Sequence, residues 1–489
     1  MTPQTAMIMA LAIPAVAALL IAATGRLPQL REAVTLVAGV LLLLTVGTLV
    51  PVVLGGARPA LTVVEMLPGV SLEFVLEPLG MLFALTAAIL WPIASLYSIG
   101  YMRGNGEANQ TRFYLFFAVA IFSVMGIAMS GNLLTLFVFY EMLTLSTYPL
   151  VTHKGTAEAM RAGRVYLGIL IGTSIGLLLP AIIWTWFVAG TVEFTAGGIL
   201  AGNIAGPALG VLLALFIFGI GKAAVMPVHR WLPAAMVAPT PVSALLHAVA
   251  VVKAGVFSVV KVAVYIFGVD LLQASVSTHW LVYIAGVTVV GASLIALRQN
   301  NLKRLLAYST ISQLSYIVLA VGIMHPLATM GAALHIIVHA FGKITLFFAA
   351  GSIYTASHKT EISQLRGIGR RMPWTMGAFA VAAISMIGLP PAAGFVSKWY
   401  MLLGAFEVNQ LFAVAVIVIS TLLNAAYFVP IVYSAFLRDE DYEEHGPDHG
   451  EAPLAIVLAL VATAALTVLL FFFPQVPLEL AHQLVEIIP

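Results

Sequence analysis

Apolar stretches of about 18 residues or more recur along the whole chain, and they limit the possible folds more than any other feature. Each stretch is long enough to cross the hydrocarbon core of a bilayer as an α-helix. Charged residues make up only 9% of the 489 positions, whereas a soluble domain carries roughly 25%. Backbone polar groups in lipid must be satisfied within the fold, and these stretches lack the alternation of a membrane β-barrel. The sequence therefore predicts an all-α polytopic membrane protein.

About fourteen transmembrane helices are predicted, and we number these spans in chain order. The first span is preceded by no basic segment and followed by no persuasive cleavage site, so it is predicted to be retained in the mature protein. The predicted spans are 5–24, 33–54, 79–100, 112–130, 132–152, 164–189, 208–226, 241–265, 280–298, 304–323, 328–353, 374–403, 410–436 and 453–473.

Basic residues in the predicted loops fall mainly on one side of the membrane. If each loop takes the number of the span before it, Arg58 and Lys261 are assigned to even loops. The odd loops hold sixteen basic residues: Arg26, Arg31, Arg103, Arg112, Lys154, Arg161, Arg164, Arg230, Arg298, Lys303, Arg304, Lys359, Arg366, Arg370, Arg371 and Arg438. Because cytoplasmic loops carry an excess of Lys and Arg, the odd loops are predicted to be cytoplasmic and both termini to lie outside. A bacterial cytoplasmic (inner) membrane is the predicted location.

The longest hydrophilic segments are residues 55–78 and 438–453. The first is predicted to carry a short strand or hairpin near Ser71–Leu76. The second is an acidic cytoplasmic loop, which is either a solvated connector or a contact for a partner subunit. The chain has no cysteine, so no disulfide, thiolate metal site or iron–sulfur cluster is predicted, and no cofactor is expected.

Four lysines remain inside the predicted spans once the loop residues are counted: Lys222, Lys253, Lys343 and Lys398. An ionised residue at the centre of a bilayer costs roughly 2.5–3.5 kcal/mol, so such residues are retained for a reason. A structural ion pair accepts either Lys or Arg, but Arg does not deprotonate in proteins. The use of lysine at every one of these positions favours a proton relay over structural pairing.

Glu141 is the acidic residue that lies clearly within a predicted span. Thr144 and Tyr148 follow it at i+3 and i+7, on the same helical stripe. A lone carboxylate in the membrane is expected to be neutral unless a cation is near. Glu141 is therefore predicted to pair with a lysine and to modulate its proton affinity; the alternative is a protonated glutamate that only packs.

Three histidines are also inside predicted spans: His247, His335 and His339. The last two precede Lys343 by eight and four residues, so the three groups form a ladder of about 12 Å on one helix face. Because histidine titrates nearest physiological pH, a relay is favoured; zinc binding is the other functional interpretation. His247 and Lys253 lie roughly 120° apart around their helix and are predicted to link two proton sites in series.

Two spans are predicted to be interrupted by proline, which removes a backbone donor and clashes with the preceding turn. Lys222 precedes Pro227 in span 7, and Lys398 follows Pro391 in span 12. Interrupted helices with ionisable groups in two halves of a chain are typical of transporter repeats. We predict two inverted five-helix repeats, spans 4–8 and 9–13. The single transmembrane domain, 1–489, is then divided into 1–110 (three peripheral spans), 111–266, 280–437 and 453–489 (last span and tail).

Three motifs carry a resemblance to a known family: PVHRWLPAAMVAPTPVSALLHAVAVVKAG (Pro227–Gly255), LAYSTISQLSY (Leu306–Tyr316) and GLPPAAGFVSKW (Gly388–Trp399). From about span 4 to span 13 the chain resembles the antiporter-like subunits of Mrp-type Na⁺/H⁺ antiporters, respiratory complex I and membrane-bound hydrogenases. The resemblance implies fourteen helices, two inverted repeats and a set of site residues on spans 5, 7, 8, 11 and 12. Those residues map onto Glu141, Lys222, Lys253, Lys398 and the group His335, His339 and Lys343.

Within this family, the D-type subunit of Mrp antiporters fits the length and the lysine pattern best. The short tail after the last span argues against family members with extra C-terminal helices. Lys398 argues against the middle antiporter-like subunit of complex I, which usually has Glu there. Two segments depart from this choice: Leu232–Met236 lacks an acidic residue that many members carry, and Ser243–His247 is closer to complex I and the A-type Mrp subunit.

The predicted function is that of a proton-translocating subunit in a multisubunit monovalent cation (Na⁺)/H⁺ antiporter. This makes the chain part of a secondary transporter rather than an enzyme. The alternative is an antiporter-like subunit of a complex I-type NADH-quinone oxidoreductase or a membrane-bound hydrogenase. A third possibility is a scaffold with structural buried charges. The predicted partners are other membrane subunits of a hetero-oligomeric complex, protons, a monovalent cation and lipid, with no nucleic acid.

Overall fold

The structure is a computed structural model that describes residues 1–439 and 450–486. The first half contains α1 (Pro3–Ala23), α2 (Pro28–Leu54), β1 (Ala60–Leu67), β2 (Val70–Val75), α3 (Pro78–Gly104), α4 (Gln110–Ala128), α5 (Leu133–Val151), α6 (Ala157–Thr173), α7 (Leu179–Ala189), α8 (Pro207–Gly219), α9 (Trp231–Ala234), α10 (Thr240–Ala244) and α11 (Val251–Val262). The second half contains α12 (Val269–Ala274), α13 (Trp280–Leu297), α14 (Leu302–Ile323), α15 (Pro326–Ser357), α16 (Ile368–Arg371), α17 (Pro373–Ile387), α18 (Gly394–Glu407), α19 (Leu411–Leu437), α20 (Leu454–Phe472) and α21 (Gln475–Glu486). Most of the predicted acidic loop, 438–453, lies outside the described residues.

In the described part of the chain, twelve helical segments are long and apolar enough to cross a membrane. Two shorter apolar helices, α8 and α17, occupy the positions of predicted spans 7 and 12. The prediction of an all-α polytopic membrane protein is confirmed. The number fourteen and the two inverted repeats remain predictions.

Residues 55–78 form the predicted hairpin. Strands β1 and β2 pair antiparallel, with Ala60 opposite Val75 and Leu67 opposite Val70. The backbone N–H of Val75 donates to the Met129 carbonyl at 2.6 Å, which attaches β2 to the end of α4. Most of β1 is exposed, whereas Phe74 on β2 is buried.

Both predicted interruptions are present. Helix α8 ends at Gly219, and a 3₁₀ turn of three residues, Gly221–Ala223, follows it. Helix α17 ends at Ile387, and the chain is non-helical until α18 begins at Gly394. Pro390, three residues after Ile387, explains why α17 does not continue, whereas Pro227, eight residues after Gly219, disfavours a regular helix only in the turn before it.

The helices differ in how far the rest of the protein covers them. The most apolar windows of 240–267 and of α15 are 100% buried, while those of α1 and α2 are 44% and 33% buried. A helix that is apolar on all sides can face lipid, but a polar group within the bilayer needs protein around it. The lysines and histidines predicted to act lie mainly on these central segments.

Candidate functional site

Lys222 lies in the 3₁₀ turn after α8 and is fully buried. Its Nζ donates to the Thr144 hydroxyl at 2.6 Å and to the Tyr140 carbonyl oxygen at 2.9 Å, both on α5. The same nitrogen lies 3.2 Å from the centroid of the Tyr140 ring, and cation–π attraction adds to these bonds. The interruption of α8 thus presents a lysine to a hydroxyl, a carbonyl and an aromatic face.

Glu141 does not make the direct ion pair with Lys222 that the sequence predicts. The two charges are close enough to interact, but Lys222 Nζ is taken up by Thr144 and Tyr140. Both carboxylate oxygens of Glu141 are buried, and within residues 1–439 and 450–486 they have no hydrogen-bond partner. Glu141 therefore acts on Lys222 through space, and we call Glu141, Lys222, Tyr140 and Thr144 the first cluster.

Lys253 and His339 are in direct contact across α11 and α15. Lys253 Nζ and His339 Nδ1 are 2.5 Å apart, and both side chains are fully buried. A contact between an amine and an imidazole at this distance can pass one proton between two nitrogens. The sequence predicts both residues as relay groups but does not predict that they meet.

The predicted ladder on α15 is present as a common face but not as a chain of direct bonds. The rings of His335 and His339 have centroids 5.9 Å apart. Lys343 Nζ donates to Ser309 Oγ at 2.7 Å, away from His339. The rungs are bonded to neighbouring helices rather than to one another: His335 to α14 and α18, His339 to α11 and Lys343 to α14.

His247 lies in a π-helical turn, Leu245–Val249, between α10 and α11. Its ring packs 4.6 Å from the ring of Phe347, and it is close enough to Lys343 and Lys303 to sense their charges. Among the described residues, neither ring nitrogen has a hydrogen-bond partner. Unpaired polar atoms are costly in a buried site, so the two free nitrogens favour a role for His247 beyond packing.

Lys398 lies on α18, just after the second interruption. Its Nζ donates to the carbonyl oxygens of Met386 and Ile387 at 2.9 and 3.0 Å. These carbonyls belong to the last turn of α17, where they lack helical partners and carry the negative end of the helix dipole. The nitrogen also lies 4.6 Å from the Tyr316 ring centroid. Lys253, His335, His339, Lys343 and Lys398 form what we call the second cluster.

A glycine makes room for the lysine at each interruption. A Cβ at Gly255 on α11 would lie 2.3 Å from the Lys222 carbonyl carbon, so only glycine allows this approach. A Cβ at Gly388 would lie 2.6 Å from Lys398 Cδ, and Gly388 also has φ +93°. Both space and backbone conformation therefore require glycine at 388.

Lys261 corrects the sequence analysis, which assigns it to an outer loop. It lies on α11, is fully buried, and forms an ion pair of 2.9 Å with Glu77. Lys261 Nζ also donates to the Ser130 carbonyl at 2.6 Å. Glu77 is buried as well, so Glu141 is accompanied by a second carboxylate in the core. The signal was available, since Lys261 falls inside predicted span 8.

A pair of carboxyl groups lies near the hairpin, outside the spans. Glu193 follows α7 and shares a hydrogen bond with Glu73 on β2, while Asn132 Nδ2 donates to Glu193 at 3.3 Å. Burial, followed by the hydrogen bond and negative charge of Glu73, raises the pKa of Glu193 to about 7. The Glu193 carboxyl therefore takes up a proton near neutral pH.

A cavity of about 480 Å³ opens on the basic side of the molecule. Its lining includes Tyr101, Lys154, Thr240, Lys303 and Tyr354. Thr240 begins the helical segment that carries His247 and Lys253. The cavity therefore brings solvent close to the beginning of the segment that carries His247 and Lys253.

Buried lysines and histidines beside two interrupted helices, within a bundle of apolar spans, are features typical of membrane proteins that move ions. The chain belongs to the NADH:quinone oxidoreductase/Mrp antiporter transmembrane family, whose model matches residues 130–424.

Known relatives come from several kinds of complex. NADH-quinone oxidoreductase subunit N of Desulforudis audaxviator (strain MP104C) is 34% identical over 375 residues, which cover 76% of this chain and 74% of that protein. The A-type subunit of the Na(+)/H(+) antiporter of Alkalihalophilus pseudofirmus is 30% identical over 86% of this chain but only 54% of its own length. The chain thus spans about half of that longer relative.

Solved structures share the fold along the whole chain. A chain of the Mrp complex from Dietzia sp. DQ12-45-1b superposes with a TM-score of 0.88 at 24% identity, covering 100% of this chain and 98% of that one. A chain of the membrane-bound sulfane sulfur reductase, an archaeal respiratory membrane complex, gives a TM-score of 0.85 at 25% identity, with 99% and 97% covered. This protein is an antiporter-like membrane subunit of this family, and both of these solved chains belong to membrane complexes.

Proposed function

We propose that this chain is the proton-translocating subunit of a multisubunit monovalent cation (Na⁺)/H⁺ antiporter and that it corresponds to the D-type subunit of an Mrp complex. The observation that carries the proposal is the placing of Lys222 and Lys398 at two helix interruptions, with the Lys253–His339 contact between them. Each lysine at an interruption is buried and donates to hydroxyl or carbonyl oxygens rather than to a carboxylate. Such sites can bind and release a proton as their surroundings change.

The proposed route begins at the cavity on the basic side. A proton passes His247 or Lys222, moves through Lys253 and His339, and leaves by way of Lys398. Glu141 approaches and withdraws from Lys222 and so changes how tightly that lysine holds its proton. The protein lies in a bacterial cytoplasmic membrane, and both termini face outward in this proposal because the basic loops face the cytoplasm.

The test uses the complex isolated through a tag on this chain and reconstituted into liposomes. Lys222→Ala and Glu141→Gln are expected to reduce cation-driven proton flux by roughly a hundredfold, the scale of one proton-transfer group. Glu407→Gln, which changes an exposed carboxylate in the same way, serves as the control. Full flux in either of the first two variants would exclude the proposed route.

A second function is favoured by one comparison: the oxidoreductase relative from Desulforudis audaxviator matches at higher identity and over more of its length than the A-type antiporter relative. In this alternative, the chain translocates protons in a complex I-type oxidoreductase or a membrane-bound hydrogenase. Mass spectrometry of the chains that copurify separates the two. Small hydrophobic subunits support the antiporter, and hydrophilic iron–sulfur subunits support the oxidoreductase.

A further inference from the structure

His335 is held at both ring nitrogens, unlike His247 and His339, which each have at least one ring nitrogen without a partner among the described residues. Its Nδ1 lies 2.8 Å from Ser397 Oγ, and its Nε2 lies 3.0 Å from Gln313 Oε1. A serine hydroxyl can donate or accept, so that contact does not decide which nitrogen carries the hydrogen. The glutamine does decide it, provided that its amide can point only one way.

The Gln313 amide is fixed by its other partners. Its Nε2 group donates to the Met386 carbonyl at 3.0 Å and to Asn424 Oδ1 at 3.3 Å. If the amide were reversed, Gln313 Oε1 would face two oxygens that cannot donate. The oxygen must therefore face His335.

Asn424 is oriented in the same manner. Its Nδ2 donates to the Ser420 carbonyl at 2.7 Å and lies 3.3 Å from Ser420 Oγ, while the Tyr427 hydroxyl donates to its Oδ1. A reversed Asn424 amide would place its oxygen against the Ser420 carbonyl oxygen. The donors are therefore fixed along this series: His335 Nε2–H donates to Gln313 Oε1, and both Gln313 Nε2–H and the Tyr427 hydroxyl donate to Asn424 Oδ1.

We propose that Gln313, oriented by Asn424, is a positioning residue that keeps the hydrogen on Nε2 of His335, so that this histidine takes up and releases protons only at Nδ1. This inference rests on the proposed function of the chain. A histidine that passes a proton onward usually receives it at one ring nitrogen and releases it from the other. His335 instead stores a proton beside Lys398 and is not a link in the line from His339.

The Ser397 hydroxyl can either donate to Nδ1 of His335 or accept a hydrogen bond from it, so it fits both protonation states of the ring. When His335 is neutral, the Ser397 hydroxyl donates to the lone pair of Nδ1. When a proton binds there, Nδ1–H donates to Ser397 Oγ, and the hydroxyl hydrogen turns to the Gly394 carbonyl oxygen at 3.3 Å. The Nε2–H bond to Gln313 is the same in both states.

The titratable groups around His335 come from three helices besides its own. Lys398 lies on α18, Lys253 on α11 and the Tyr316 ring, 6.0 Å away, on α14, while His339 and Lys343 share α15. Positive charges this close repel one another in a site with little water. His335 and Lys398 are therefore expected to hold a proton in turn.

The test is ¹⁵N magnetic resonance of histidine-labelled protein in the reconstituted complex, at an alkaline pH where imidazoles are neutral. The expected signature for His335 is an Nε2–H tautomer with a hydrogen-free Nδ1. The signal is assigned by its loss in His335→Gln. A through-space correlation from Nε2–H to the Gln313 side-chain carbonyl identifies the ring without a variant.

Gln313→Met removes the acceptor at nearly constant length and is expected to give a mixture of tautomers. Asn424→Leu, which releases the amide of Gln313, is expected to do the same more weakly. Ser315→Ala is the matched control, because its buried hydroxyl on α14 has no hydrogen-bond partner among the described residues. An Nδ1–H tautomer in the unmodified protein, or an unchanged tautomer in Gln313→Met, would overturn the inference. Loss of the proposed function would be seen separately, as full proton flux in Lys222→Ala with the expected tautomer intact.

Discussion

The first and second clusters hold their lysines by different means, although each lies beside an interrupted helix. In the first cluster, Lys222 is bonded to side-chain and main-chain oxygens of α5, and Glu141 supplies a negative charge at a distance. In the second, Lys398 is bonded to the unpaired carbonyls of α17. The first arrangement can be adjusted by moving one carboxylate. The second can be adjusted only by moving a helix end or by changing the charge of neighbouring lysines and histidines.

Lys261 is a buried lysine outside both clusters, and it differs from Lys222 and Lys398 in having a direct ion-pair partner. It has a direct carboxylate partner at 2.9 Å, whereas Lys222 and Lys398 have none within that distance among the described residues. A direct pair in a dry site holds its charges firmly. We therefore expect Lys261 and Glu77 to be structural and the other two lysines to exchange protons.

The largest expected effect comes from replacing lysine by arginine, which keeps the charge but does not release a proton. Lys222→Arg and Lys398→Arg are each expected to reduce proton flux by roughly a hundredfold. Lys261→Arg is the matched control and is expected to keep most of the flux. Equal flux in all three variants would remove the distinction between exchanging and structural lysines.

Breaking the structural pair is expected to cost stability. Glu77→Gln leaves Lys261 buried without its partner charge, which destabilises a protein by about 3–5 kcal/mol. Thermal unfolding in detergent measures the loss, and the double variant Glu77→Gln/Lys261→Met is expected to recover most of it. Glu141→Gln is the comparison, because that carboxylate has no direct partner to lose in the described structure. A similar loss for both single variants would argue that Glu141 is also a structural ion-pair partner.

Substituting glycine by alanine tests the two interruptions against each other. Gly255→Ala is expected to cost more stability, because its Cβ would lie 2.3 Å from backbone atoms of Lys222 and Ala223, which cannot turn aside. Gly388→Ala adds backbone strain of about 1–3 kcal/mol at φ +93°, but its Cβ meets the Lys398 side chain, which can move. Thermal unfolding of both variants is the measurement, and proton flux shows whether a displaced Lys398 still works. The opposite order would mean that the turn at Lys222 gives way more easily than the backbone at Gly388.

The smallest expected effect concerns Glu193, which lies outside both clusters. Its pKa in the folded protein is about 7, above the ordinary value of 4.5, so the folded state binds this proton more tightly than the unfolded chain does. The resulting stabilisation is complete below pH 4.5 and is lost as the pH rises through about 7. Glu193→Gln is therefore expected to be more stable than the unmodified protein above pH 7, by less than about 1 kcal/mol because solvent screens the site. Melting temperatures measured at both ends of this pH range check the sign, and an effect only at acidic pH would contradict it.

The hairpin and the interrupted helices could be predicted because their causes are local. Pro227 and Pro391 disfavour a continuous helix through local backbone geometry, although Pro92 and Pro430 lie inside the continuous helices α3 and α19. Residues 71–76 alternate enough to predict a strand. Lys261 shows the limit of local reasoning: its place inside predicted span 8 indicates burial, but its partner Glu77 is 184 positions away and is found only in the structure.

The amino-acid sequence by itself determined that the chain crosses the membrane many times and that lysine, histidine and glutamate remain inside, because hydrophobicity and charge act on each segment separately. Only the tertiary structure decided which of these groups meet. The contact of Lys253 with His339 and the engagement of His335 by Gln313 and Ser397 join residues that are 22 to 86 positions apart. Periodicity gives the face of a helix but not the neighbour of that face, and direct proton transfer needs two groups that the packing of several helices brings within hydrogen-bond distance.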